Sequence, residues 1–130
     1  MENELCQAVD HALNFEFRSA MTLLDRLGRE NPEDTRPYLF KAMVYIQLLV
    51  NCRGVEENKA LFFENIDQAE KIGKELTKKD KDNWYANFFL GGIYGWKAKY
   101  YLDTGSKWRT FINARKAKGH LEKAVKRNPE

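Results

Sequence analysis

Proline is scarce, and where it occurs it punctuates. The chain has three prolines, Pro32, Pro37 and Pro129. Each lies in or beside a predicted break, so the stretch from Tyr38 to Asn128 is free of the strongest helix breaker. Cysteine is nearly absent as well. Cys6 and Cys52 lack CxxC spacing and fall on predicted apolar stripes, so both are read as small core residues, with no disulfide or metal site expected. No apolar run nears the roughly 20 residues of a membrane-spanning helix, and Met1 to Glu4 is polar and acidic where a signal peptide would begin. The chain is therefore read as soluble, with the cytoplasm the favoured compartment. Sustained alternation of apolar and polar residues is missing, which argues against strands. Glycine-rich phosphate loops, GxSxG and HExxH are missing too. His11 and His120 stand alone, and Glu56, Glu57, Asp80 and Asp82 lie at helix starts and turns, where capping accounts for them. A catalytic role, a cofactor and a metal are accordingly not expected.

What the chain does hold is charge and apolar bulk at helical spacing. Charged residues make up 32% and hydrophobic ones 43% of 130 residues, which points to amphipathic helices rather than disorder. A chain of this length buries roughly two-thirds of its unfolded surface without a metal or disulfide staple. Leu5, Ala8, Val9, Ala12 and Leu13 mark one face over residues 1 to 13, and Ala20, Leu23, Leu24 and Leu27 mark another over 16 to 29, with Asn14 placed to turn between them. Asn31-Pro32-Glu33 stops the second helix, and Pro37 suits the first turn of the next. That helix is predicted from about Arg36 to Asn51, ending at Gly54, through Tyr38, Leu39, Ala42, Met43, Tyr45, Ile46 and Leu49. Its partner runs from about Glu57 to Lys79 through Leu61, Phe62, Ile66, Ala69, Ile72 and Leu76. A third pair runs from Asn83 or Trp84 to Leu102 and from Lys107 to Arg127. Gly105 suits a left-handed helix end, and Ser106 suits the following N-cap.

The same intervals recur. Ala20, Leu24, Leu27 and Pro32 are spaced as Ala117, Leu121, Ala124 and Pro129, and Ala69, Gly73, Leu76 and Lys81 repeat the pattern with Gly73 at a large apolar position. Ala42 with Tyr45, and Leu90-Gly91 with Tyr94, supply the other half. On these residues the chain resembles the tetratricopeptide (TPR) repeat family, and the run from Gly95-Trp96 through Trp108 to Ala124 is similar to long-helix bacterial TPR proteins of unassigned function. The resemblance implies an all-α, right-handed stack of three antiparallel hairpins, about six helices, forming a single domain over 1 to 130 with repeats near 1–34, 35–83 and 84–130. The second and third repeats have elongated helices; about seven extra residues per helix add two turns, roughly 10 Å, and turn the apolar face by only about 20°.

In TPR proteins the first helix of each hairpin lines a concave surface that takes peptides or helices. The resemblance places that groove here at Leu5 and Val9, then Arg36, Leu39, Met43 and Ile46, then Tyr85, Phe88, Gly92 and Trp96. The residues are mostly apolar and aromatic, which suits an amphipathic helix or apolar segment of a partner protein. Three glycines, Gly91, Gly92 and Gly95, each cost the helix about 1 kcal/mol relative to alanine. Gly91 matches the small TPR position; Gly92 and Gly95 are read as admitting a neighbouring helix, with a groove floor as the alternative. Charge is uneven: the last third is strongly basic, with Lys107, Arg109, Arg115, Lys116, Lys118 and Lys123 as a candidate surface beside Tyr100, Tyr101 and Trp108, while the overall net charge is +3. The expected function is a non-catalytic protein-interaction or assembly module. Nucleic-acid or anionic-surface binding through the basic hairpin is one alternative, and an oligomerisation element is the other.

Overall fold

The computed structural model describes residues 2–13, 16–50 and 55–127. These residues form six helices: α1 (Glu2–Leu13), α2 (Phe17–Glu30), α3 (Arg36–Val50), α4 (Val55–Lys79), α5 (Trp84–Asp103) and α6 (Lys107–Arg127). Among the described residues there is no strand. The helix limits fall within two residues of those read from periodicity. The turn expected at Asn14, the helix end at Gly54, the core position of Cys52 and the closing Pro129 lie outside the described residues. Two compact units divide the chain, Met1–Ala69 and Glu70–Glu130, with the boundary inside α4.

In the first unit α1 pairs with α2, and α3 packs on both. Leu5 and Ala8 of α1, Ala20, Leu24 and Leu27 of α2, and Val44 of α3 form one buried cluster. Their spacing of three and four residues puts them on the facing stripes, and each large side chain removed from water contributes about 1.5–3 kcal/mol before ordering costs. Val44 is missing from the stripe through Leu39, Ala42 and Ile46 because α3 buries more than one side. Cys6 corrects the sequence reading: it is exposed and free. The inward face of α1 passes through Leu5 and Ala8, and one residue further along rotates a side chain by about 100°, out of that face.

The joint between α2 and α3 is built from its own polar groups. Asn31 closes α2, its backbone N–H and its side-chain amide both donating to the Leu27 carbonyl at 2.9 and 3.1 Å. Thr35 is buried, and its hydroxyl donates to the Ala69 carbonyl on α4 at 2.9 Å. Pro37 is fully buried in the first turn of α3, where its missing N–H leaves nothing unsatisfied.

The second unit is dominated by one long hairpin of α5 and α6. Asn83 caps α5 by accepting the Ala86 N–H at 3.1 Å, worth about 1 kcal/mol. The hairpin turn follows the Schellman pattern: Ser106 N–H donates to the Tyr101 carbonyl at 2.8 Å and Gly105 N–H to the Leu102 carbonyl at 3.2 Å. Gly105 has φ +85°, as its position past the last helical residue requires. Two close approaches hold the helices. A Cβ on Gly91 would lie 2.6 Å from the Leu121 side chain, and one on Gly73 of α4 would lie 2.8 Å from Leu90. Gly73 leaves room for Leu90, which is fully buried against it.

Candidate functional site

The residues expected to line a concave groove divide between the two units, and they range from buried to exposed. In the first unit Leu39 and Ile46 are buried. Arg36 is held by both carboxylate oxygens of Asp34, with Nη2 at 2.7 Å, and also pairs with Glu2. Met43 is half-buried and borders a void of about 30 Å³ with Ala8, Val9, Leu24 and Phe40, about the volume of a single water. In the second unit Tyr85, Gly92 and Trp96 are half-buried. Phe88 alone of the set is widely exposed, at 51%.

Phe88 belongs to a different surface, which the sequence reading did not identify. On α5, Trp84, Phe88, Gly95 and Leu102 are exposed, and at 100° per residue they share one side of the helix to within about 40°. On α6, Phe111, Ala114, Lys118, Leu121 and Val125 follow one another at alternating intervals of three and four, and all are exposed. Between the two stripes lies an open trough of about 680 Å³ whose wall includes Gly95, Ala98, Ala114, Ala117, Leu121 and Val125 and exposes no polar atom. Gly95 settles how the glycines divide. Gly91 admits its neighbour's side chain, whereas nothing comes within 4 Å of a Cβ placed at Gly95. It forms the trough floor, contrary to the neighbouring-helix reading.

Lys118, Glu122 and Lys126 edge the trough on the α6 side. The six cations singled out on α6 are all exposed. Several of their heads rest on rings of the same unit: Arg109 lies 5.5 Å from the Tyr101 ring centroid, Arg115 5.7 Å from Phe111, and Lys116 5.2 Å from Tyr94. Trp108 is 71% exposed and stacks on Phe111.

A polar clamp fixes the other side of α5. Glu70 of α4 accepts from the Tyr94 hydroxyl at 3.0 Å, pairs with Lys97, and meets Lys74 at 2.7 Å. Burial pushes the Glu70 carboxyl up, but hydrogen bonds from Lys74 and Lys97, the Lys97 charge and the Tyr94 hydroxyl outweigh it, and the pKa falls to about 2. Burial and the Glu70 charge raise the Tyr94 phenol far above its ordinary value. His120 stacks on Tyr94 at 5.5 Å. The Asn87 amide donates to the Lys81 and Asn83 carbonyls at 3.0 and 2.9 Å, so its oxygen is left to accept from His120 Nδ1–H at 2.8 Å. Burial and then Lys123, Lys74 and Lys116 lower the His120 pKa, which keeps the ring neutral at pH 7. These groups hydrogen-bond to one another, and the clamp therefore positions α5 and α6.

Among the described residues no three His, Cys, Asp or Glu side chains are grouped to hold a metal ion, and no helix is long and apolar enough to cross a membrane. No family model, curated protein or solved structure matches the chain.

Proposed function

We propose that this chain is a TPR-like, non-catalytic protein-interaction module whose binding surface is the uncovered face of the α5–α6 hairpin. The observation that carries the reading is the apolar trough between the two exposed stripes: contiguous exposed apolar surface of this kind marks an interaction site. The TPR-like reading draws support from Gly91 and Leu121, because the small position of a first helix takes the large residue of the second, as the repeat would require. It also draws on the packing of α3 against α1 and α2, the relation of one hairpin to the next helix in a stack.

The basic face of α6 favours a second reading, binding to nucleic acid or another polyanion, with Trp108 available for stacking. It ranks lower because Arg109, Arg115 and Lys116 already lie over rings of their own unit. The oligomerisation alternative ranks lower still. Eight residues of α6 are Lys or Arg and one is acidic, so two copies meeting face to face would repel.

Photo-crosslinking tests the reading. A photoreactive residue at Leu121 should yield a discrete protein adduct in cells that the same residue at Ala60, exposed on α4, does not. Filling the trough with Gly95→Phe should abolish the adduct. Identical products from both sites, or none from Leu121, would sink the proposal.

A further inference from the structure

Resting on that reading, we propose that the trough seats one amphipathic helix of about four turns with a small-to-medium apolar seam and acidic flanks. The shape of the seat argues for a helix. Among the many exposed positions of α6, Phe111, Ala114, Lys118, Leu121 and Val125 share the side that faces the trough at intervals of three and four, the interval by which one helix presents ridges to another. From the first of these to the last is about 21 Å, or about 15 residues of partner. Large side chains, Leu102 and Phe111 at one end and Phe88 and Val125 at the other, flank a middle of Gly95, Ala98, Ala114 and Ala117. Small residues in the middle allow close approach of a helix backbone, which an extended peptide or a flat surface would not exploit.

The chain supplies its own precedent for such an occupant. In the first unit α3, a helix of 15 residues, packs on α1 and α2 and buries Leu24 to 1% exposure. Leu121 stands at the matching interval on α6 and remains 40% exposed. Among the described residues of the second unit, no helix covers Leu121 as α3 covers Leu24.

Charge selects the partner's flanks. Lys118 and Lys126 border the trough against Glu122, which already pairs weakly with Lys118 at 3.9 Å. The rest of α6 adds further cations and no other acid. Asp or Glu beside the partner's seam would complement this field, and Lys or Arg there would be repelled. The same field excludes a second copy of α6 as occupant.

The test uses two synthetic helical peptides of about 18 residues with the same Leu/Ala seam at intervals of three and four, one flanked by Glu and one by Lys, titrated against the full chain. The Glu-flanked peptide should bind about tenfold tighter or more, a gap of about 1.4 kcal/mol, and the advantage should shrink in high salt. Gly95→Phe should abolish binding with helical content unchanged, since nothing lies near that position. Equal binding of both peptides would overturn the acidic flanks and leave the interaction reading intact. No binding of either, with the Leu121 adduct still forming, would overturn the helical occupant alone. Loss of both would overturn the interaction reading itself. Self-association abolished by Gly95→Phe would make a second copy the occupant and overturn the proposal. So would binding of single-stranded RNA or anionic vesicles that Gly95→Phe blocks.

Discussion

The α1–α2 hairpin and the α5–α6 hairpin carry the same interval of apolar residues on their second helices and put it to different use. Ala20, Leu24 and Leu27 are buried; Ala117 and Ala124 are buried too, but Leu121 between them is not. What differs is the element that follows. In the first unit α3 lies over the pair and converts a stripe into a core. On the last hairpin the stripe continues outward through Val125 and Phe111 and ends in solvent. One pattern therefore specifies where a helix can pack, and the neighbours decide whether the result is core or docking surface.

Truncation should separate the two cases most sharply. Leu24→Ala removes side-chain atoms that are fully enclosed and should cost about 3 kcal/mol, within the range for buried leucines. Leu121→Ala should cost less, about 1–2 kcal/mol, because two-fifths of that residue already meets water while the rest packs on Gly91. Denaturant midpoints of the two variants measure the gap; equal losses would mean that Leu121 is covered in solution. Glycines offer a second contrast. Gly73→Ala places a Cβ 2.8 Å from a Leu90 side chain that is itself enclosed, so strain should cost about 1–3 kcal/mol and lower the thermal midpoint.

Acid should act on the second unit through Glu70. Its folded pKa of about 2 lies below the ordinary value of 4.5, so the unfolded chain takes up the proton first. The clamp's contribution is complete above about pH 5 and is lost as pH falls from about 4.5 toward 2. Allowing for the solvent around Lys74, the loss is on the order of 1–2 kcal/mol. Glu70→Gln should be less stable than the parent at pH 7 and show a flatter decline in that window, read from unfolding curves across pH. His120 has the same sign. Its lowered pKa makes protonation destabilising as pH drops below about 6.5, and His120→Gln should remove that step.

The helices were largely legible because their signals are local. Pro32, Asn83 and Gly105 each punctuate through their own backbone chemistry, and the apolar spacing in α2 survives any packing arrangement. The candidate site was only partly legible. Phe88, placed in the concave groove by resemblance, is exposed, whereas Leu39 and Ile46 of the same set are buried, because periodicity does not distinguish a covered stripe from an open one. The α6 stripe through Leu121 reads like core for the same reason. A faint signal was present: Lys118 and Glu122 interrupt the stripe on α6, whereas the stripe of α2 has Leu23 beside Leu24. Cys6 was misplaced because a one-residue shift on a short helix changes the face, and Val44 was passed over because α3 buries more than one side.

Gly95 gives the smallest expected effect and the finest discrimination. Its helical position and empty surroundings leave no folding reason for glycine, since a Cβ there meets nothing within 4 Å. Gly95→Ala should therefore stabilise the chain by about 0.5–1 kcal/mol, through the helix propensity that glycine forgoes. The same methyl group would stand on the trough floor, where a partner helix must come closest. Stability and binding are then expected to move in opposite directions: a higher thermal midpoint with weaker peptide affinity. A gain in both would show that the floor is not where the partner seats, and a loss of stability would show that the position is already occupied in the free protein.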